Sequence, residues 1–232
     1  MSPNPLIIAL DVDTRAEAMR LVEQCGGLVG FYKVGLELFT AEGPAVVREL
    51  IAAGKRVFLD LKMYDIGETV RRAAARAAGL GVSLLTVHCV PQVIRAAAEA
   101  VKGSETKILA VTVLTSFDQR DLEDTGVTGR TPAEHVLWLT ARGIEAGAHG
   151  FVCSPREARP LRELAGPERL LVTPGVRSAG SAAHDQKRVA TPSEALAAGA
   201  DYLVIGREVT RAEDPSAAVE RILAEISAVR NY

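Results

Sequence analysis

The sequence predicts an α/β protein, a single (β/α)8 TIM barrel spanning residues 1–232. Three observations lead there. A short apolar run followed by a helical pattern recurs eight times along the chain. The repeat of about 29 residues is the scale of a βαβ unit. The runs are continuously apolar rather than alternating, which suits a parallel sheet buried on both faces. An open doubly wound sheet would accept the same alternation, but closure removes its two free edges.

The expected strands are "LIIAL" (6–10), "FYKVG" (31–35), "VFLDL" (57–61), "LLTVH" (84–88), "ILAVTVL" (108–114), "GFVCS" (150–154), "LLVTP" (170–174) and "YLVIG" (202–206). Between and after them, segments rich in Ala, Leu, Glu and Arg have helical spacing: 14–25, 41–53, 68–79, 92–102, 131–146, 156–165, 192–199 and 215–229. Two carry full start signals. "TPAEHV" offers Thr131 as cap, Pro132 in the first helical position and Glu134 three residues after the cap; Thr191, Pro192 and Glu194 repeat the pattern. Gly54, Gly147 and Gly199 mark helix ends. Two long stretches, 116–129 and 178–189, lack either pattern, and long loops in a small domain are often functional lids.

Composition limits the function classes. Apolar residues make up 48% of the chain, enough for one large core. The formal net charge of −2 gives no basic excess for nucleic acid, so any phosphate must be held by a few local groups. Cys25, Cys89 and Cys153 are odd in number, widely spaced and outside any CxxC pair, and they read as small buried hydrophobes. The N-terminus reaches Asp11 too early for a signal peptide, and no apolar run is long enough to cross a bilayer. A reducing cytoplasm is the expected compartment.

In such a barrel the reacting groups come from the C-terminal ends of the strands. Those ends carry Asp11, Lys33, Asp60 with Lys62, His88, Thr115, Arg177 and Gly206–Arg207. Asp60 and Lys62 are two residues apart and share one side of their strand. If that side faces the mouth, Lys62 lies between Asp60 and, after the turn, Asp65. The expected array is Lys33, Asp60, Lys62 and Asp65, with Asp11 on the strand beside Lys33. Such alternating ions are aimed at negative charge developing in a transition state. Each member has a plainer alternative: Asp65 as a cap of the helix starting near Gly67, Lys33 as a side chain reaching for water, Asp60–Lys62 as a structural ion pair. His135, His149 and His184 fall on helices or loops and are expected to be solvated.

"VTPGVR" (172–177) and "VIGREV" (204–209) follow strands 7 and 8, where this architecture most often holds phosphate. Gly175 and Gly206 allow close backbone approach, and Arg177 and Arg207 offer planar forks to phosphate oxygens. The stretch between, "SAGSAAHDQKRV", reads as a closing flap from which Gln186 could donate.

With these residues in place, the chain resembles the orotidine 5'-phosphate decarboxylases of bacterial type, over nearly its whole length. The resemblance rests on "IIALDVD", "YKVGLELF", "FLDLKMYDIGETV", "VLTS", "VTPGVR", "DQKRVATP" and "DYLVIGREVT". The third of these is close to the family's Asp-x-Lys-x-x-Asp-Ile-Pro-Asn-Thr-Val pattern, with Gly67 and Glu68 where Pro and Asn are usual. The resemblance implies conversion of orotidine 5'-monophosphate to uridine 5'-monophosphate, with no metal and no organic cofactor. It implies that Lys62 donates the proton, and that Lys33 and Asp60 contact the ribose and orient Lys62. It places Asp11 at the ribose or base and Thr115 at the pyrimidine. Arg177, Gln186, Gly206 and Arg207 would hold the phosphate. Asp65 and Thr69 would act in a neighbouring subunit's site, making a homodimer. The related barrels that act on sugar phosphates through Mg2+ share the Asp-x-Lys-x-x-Asp strand but typically carry Glu where Lys33 stands.

Overall fold

The computed structural model describes residues 4–178 and 190–230, in which the eight apolar runs become eight parallel strands. These are β1 (Leu6–Ala9), β2 (Phe31–Gly35), β3 (Arg56–Met63), β4 (Leu84–His88), β5 (Lys107–Val111), β6 (Gly150–Val152), β7 (Leu170–Pro174) and β8 (Tyr202–Ile205). They pair in chain order, and β8 closes on β1 with Ile7 opposite Val204, so the sheet is a TIM barrel and not an open sheet.

The helices outside it are α1 (Arg15–Cys25), α2 (Leu36–Glu42), α3 (Pro44–Ala52), α4 (Gly67–Gly79), α5 (Pro91–Ala100), α6 (Gln119–Asp124), α7 (Pro132–Glu145), α8 (Pro155–Ala165), α9 (Pro192–Ala197), α10 (Arg207–Thr210) and α11 (Pro215–Arg230). The capping boxes expected at Thr131 and Thr191 form, each closed by the Glu three residues on. The helix expected over 41–53 is instead two, α2 and α3. Gly43 takes φ 59° between them, and Pro44 starts α3 where its missing N–H costs nothing. The irregular stretch 116–129 contains α6, because Asp118 accepts from the N–H groups of Arg120 and Asp121 while Asp121 bonds back to Asp118.

Two apolar layers hold this frame. Inside the barrel, Ile7, Ala9, Phe31, Phe58, Leu84, Leu109, Val172 and Val204 pack together, each an alternate residue of its strand. At the bottom, the Arg56 guanidinium lies 4.0 Å from the centre of the Phe31 ring, and Tyr202 meets Phe31 edge-on. Outside, the other strand faces pack on the helices. The three cysteines are buried, as expected, and burial pushes the thiols of Cys89 and Cys153 up to about 12.

Two of the histidines expected in solvent are not there. His135 is buried and stacks on Trp138. His149, half-buried just before β6, accepts the N–H of Ile108 on Nδ1 at 3.0 Å, because the β5–β6 register brings the ring against β5's backbone. Burial first, then a nearby cation, holds both below the ordinary imidazole range. His184 lies outside the described residues. Among the described residues no helix is long and apolar enough to cross a membrane.

Candidate active site

The inward row of each strand continues past the apolar layer, and on β1 to β4 it turns polar there. Two residues beyond Ala9, Phe31, Phe58 and Leu84 stand Asp11, Lys33, Asp60 and Thr86. On β5, β7 and β8 the same step gives Val111, Pro174 and Gly206. The charges therefore gather over one half of the mouth.

They form a continuous chain. Lys33 Nζ lies 2.8 Å from Asp11 Oδ1 and 3.9 Å from Asp60 Oδ2, and Lys62 Nζ lies 2.8 Å from the same Asp60 oxygen. The other Asp60 oxygen accepts from the Thr86 hydroxyl at 2.8 Å. The side chains of Lys33 and Asp60 are only 11% and 13% exposed, so neither can rely on water. Removing one partner from such a pair strands the other and typically costs about 3–5 kcal/mol. Gly35 belongs to this packing as well. A Cβ there would lie 2.8 Å from Lys33 Nζ and 3.3 Å from Asp11 Oδ1, so any side chain would push the pair apart.

Lys62 is held unusually. Its φ is 48°, the one positive value at a non-glycine position among the described residues, and a conformation that costs about 1–3 kcal/mol. His88, at the end of β4, is kept below the ordinary imidazole range, chiefly by burial and then by the Lys62 charge; its ring leans on Tyr64.

Beside this chain lies a cavity of about 140 Å3. Asp11 and Lys33 wall one side, and Gly175, Arg177, Gly206, Arg207 and Glu208 line the rest. Gly175 takes φ 76°, which any side chain would disfavour. The Glu208 carboxylate accepts the backbone N–H of Ser178 at 3.2 Å, tying the loop after β7 to α10.

Asp11, Lys33, Asp60, Lys62, Arg177, Gly206 and Arg207 thus come together at one end of the barrel. Asp65 does not join them within its own chain. Among the described residues Lys62 has no ion pair with Asp65, which lies in the exposed turn after β3. Asp65 is exposed and accepts the N–H of Ile66 at 2.6 Å; Ile66, not Asp65, is the cap residue of α4. The array within one chain is Asp11–Lys33–Asp60–Lys62. Thr69 is exposed in the first turn of α4, and Thr115 sits in the turn after β5. Gln186 lies outside the described residues. Thr86, Glu208 and Gly35 were not anticipated. Thr86 could have been, since counting back two from His88 places it on the inward row.

Fold and site define a class: a (β/α)8-barrel enzyme with charged groups at the C-terminal strand ends, where such barrels carry their active sites. The chain belongs to the orotidine 5'-phosphate decarboxylase / HUMPS family, whose model matches residues 4–222. It is 52% identical to the orotidine 5'-phosphate decarboxylase of Rhodopseudomonas palustris over 97% of this chain and 94% of that one. It is 48% identical to the orotidine 5'-phosphate decarboxylase of a Methylobacterium species over 96% and 95% of the two chains. The crystal structure of the orotidine 5'-phosphate decarboxylase from Lactobacillus acidophilus superposes with a TM-score of 0.85 at 37% identity, covering 96% of this chain and 98% of that one.

Proposed function

We propose that the protein decarboxylates orotidine 5'-monophosphate to uridine 5'-monophosphate without a cofactor, using the chain of alternating ions as its reacting centre. The observation that carries the reading is the Asp11–Lys33–Asp60–Lys62 chain opening on a cavity walled by both Gly/Arg loops.

The chemistry explains why such a chain is useful. Breaking the bond between C6 and the carboxylate leaves an electron pair in the plane of the pyrimidine ring, where the π system cannot delocalise it. The pair must be stabilised from outside the ring. In our reading the Lys62 ammonium lies beside C6, stabilises the carbanion as CO2 departs, and then transfers a proton to C6. Asp60 holds that ammonium from one side while Lys33 braces Asp60. Fixed ions need little reorganisation as charge develops, which is what makes them worth more than water. Arg177 and Arg207 take the phosphate, with Gly175 and Gly206 admitting it to the backbone, and Thr115 faces the pyrimidine. Binding energy from that remote phosphate is available to close the site over the ring.

We further infer a homodimer in which Asp65 and Thr69 of one copy complete the site of the other. Support comes from Tyr64 and Ile66, 69% and 71% exposed on either side of Asp65, and from Leu36, 64% exposed at the end of the neighbouring strand β2. Large apolar side chains clustered beside a site favour cover by a second surface. A cytoplasmic location fits these readings.

The direct test is to mix the purified protein with orotidine 5'-monophosphate, with and without EDTA, and follow the loss of ultraviolet absorbance. Equal turnover in both arms supports the reading. Loss of turnover in EDTA alone would make the reaction metal-dependent, and no turnover in either arm would point instead to the Mg2+-dependent sugar-phosphate chemistry of the related barrels.

A further inference from the structure

Between β3 and β4 the register breaks at the point where Lys62 is presented. Phe58 and Leu59 pair with Leu84 and Leu85 in step, but the next pair is Met63 with Val87. Four steps along β3 are matched by two along β4, so β3 bulges between Leu59 and Met63. The bulged residues are Asp60, Leu61 and Lys62, and the positive φ of Lys62 is part of that bulge. A bulge interrupts the ladder and leaves N–H groups in need of another acceptor.

One hydroxyl answers that need. Thr86 is fully buried, and its Oγ1 accepts the backbone N–H of Lys62 at 2.9 Å. Its own hydrogen then goes to Asp60 Oδ1, at 2.8 Å. A hydroxyl has a single hydrogen, so accepting from Lys62 fixes the direction in which it donates. Both ends of the bulge are tied to one atom, on a β-branched side chain with little freedom of its own. The other Asp60 oxygen holds Lys62 Nζ, so the lysine is gripped at its backbone by Thr86 and at its ammonium by the carboxylate that Thr86 orients.

We propose that Thr86 is a positioning residue for the decarboxylation: its hydroxyl locks the β3 bulge and so aims Lys62 and Asp60 at the reacting carbon. The proposal rests on the assignment of Lys62 and Asp60 made above. Thr86 is fully buried and does not line the cavity, so its loss should slow the chemical step and leave substrate binding in place.

Three variants and one background test it. Thr86→Val keeps the branched shape and removes the hydroxyl; Thr86→Ser keeps the hydroxyl; Thr86→Cys keeps a weak donor in case the valine variant does not fold. The expected result for folded Thr86→Val is a kcat about a hundredfold lower with KM within about threefold, the scale of a displacement of roughly 1 Å at a reacting group. Thr86→Ser should recover kcat to within about fivefold of the parent, and Thr86→Cys should fall between the two. In a Lys62→Ala background, adding Thr86→Val should lower the residual rate far less than it lowers the parent's, because the hydroxyl acts chiefly through the lysine. Full kcat in a folded Thr86→Val or Thr86→Cys variant, or a loss confined to KM, overturns the proposal while leaving the Lys62 assignment intact. Near-normal turnover in Lys62→Ala alone overturns that assignment instead.

Discussion

At the scale of single residues, the two ammonium groups differ in what surrounds them. Lys33 is braced by Asp11 and Asp60, whereas among the described residues Lys62 pairs with Asp60 only and is 37% exposed, so it has a face open to a ligand. Lys62→Ala should lower kcat by at least about a thousandfold, while the affinity for uridine 5'-monophosphate, read by calorimetry, stays near that of the parent. Arg207→Ala should act the other way. KM should rise about 10- to 100-fold, the value of a lost charge-assisted bond to phosphate, and inhibition by inorganic phosphate should weaken in parallel. Gly35→Ala offers a subtler probe. Its methyl group would displace the Lys33 ammonium, so kcat/KM should drop about tenfold with little change in Tm.

Among the elements, the strands and helices with strong local signals are those the sequence makes plain. The Thr-Pro-x-Glu starts of α7 and α9 form as their residue types require, since each satisfies exposed N–H groups locally. The break at Gly43 and the short α6 were hidden because a period-based reading smooths over a single turn. Within the site, Asp11, Lys33 and Asp60 were legible because an even step along a strand keeps a side chain on one face. For Asp65, spacing alone leaves open which chain's site it serves, because it lies beyond the end of the strand, in the turn. The bulge in β3 was invisible for a different reason: register is a relation between two strands, and no residue in "FLDLKM" announces it. The apolar layer below the site should govern stability rather than rate. Phe58 is 2% exposed inside the barrel, and Phe58→Ala should cost about 3–5 kcal/mol in urea unfolding.

For the molecule as a whole, shared sites make a prediction about mixtures. If Asp65 serves the neighbouring copy, Lys62→Ala and Asp65→Ala proteins are each inactive alone. Mixed after reversible dissociation, they should regain roughly a quarter of the parent activity, because half the dimers are hybrid and each hybrid has one intact site. No recovery from a verified hybrid would overturn the shared site. Stability against pH follows from the buried imidazoles. His88, His135 and His149 are all held below the ordinary imidazole range, so the unfolded chain binds protons that the folded one refuses. Their contribution is intact above about pH 6.5 and is lost as pH falls from there towards the lowered folded values, so urea midpoints should drop across that window. Replacing His149 with Asn should flatten the slope.

The row at the mouth also decides how a ligand is drawn in from a distance. Two carboxylates and two ammonium groups cancel, so Asp11, Lys33, Asp60 and Lys62 together project almost no field into the surrounding solution. Among the described residues of the cavity wall, long-range attraction falls to Arg177 and Arg207, offset in part by Glu208. Capture of a nucleotide that carries both a phosphate and a carboxylate should therefore slow only gently as ionic strength rises, and the step after capture should ignore salt almost entirely.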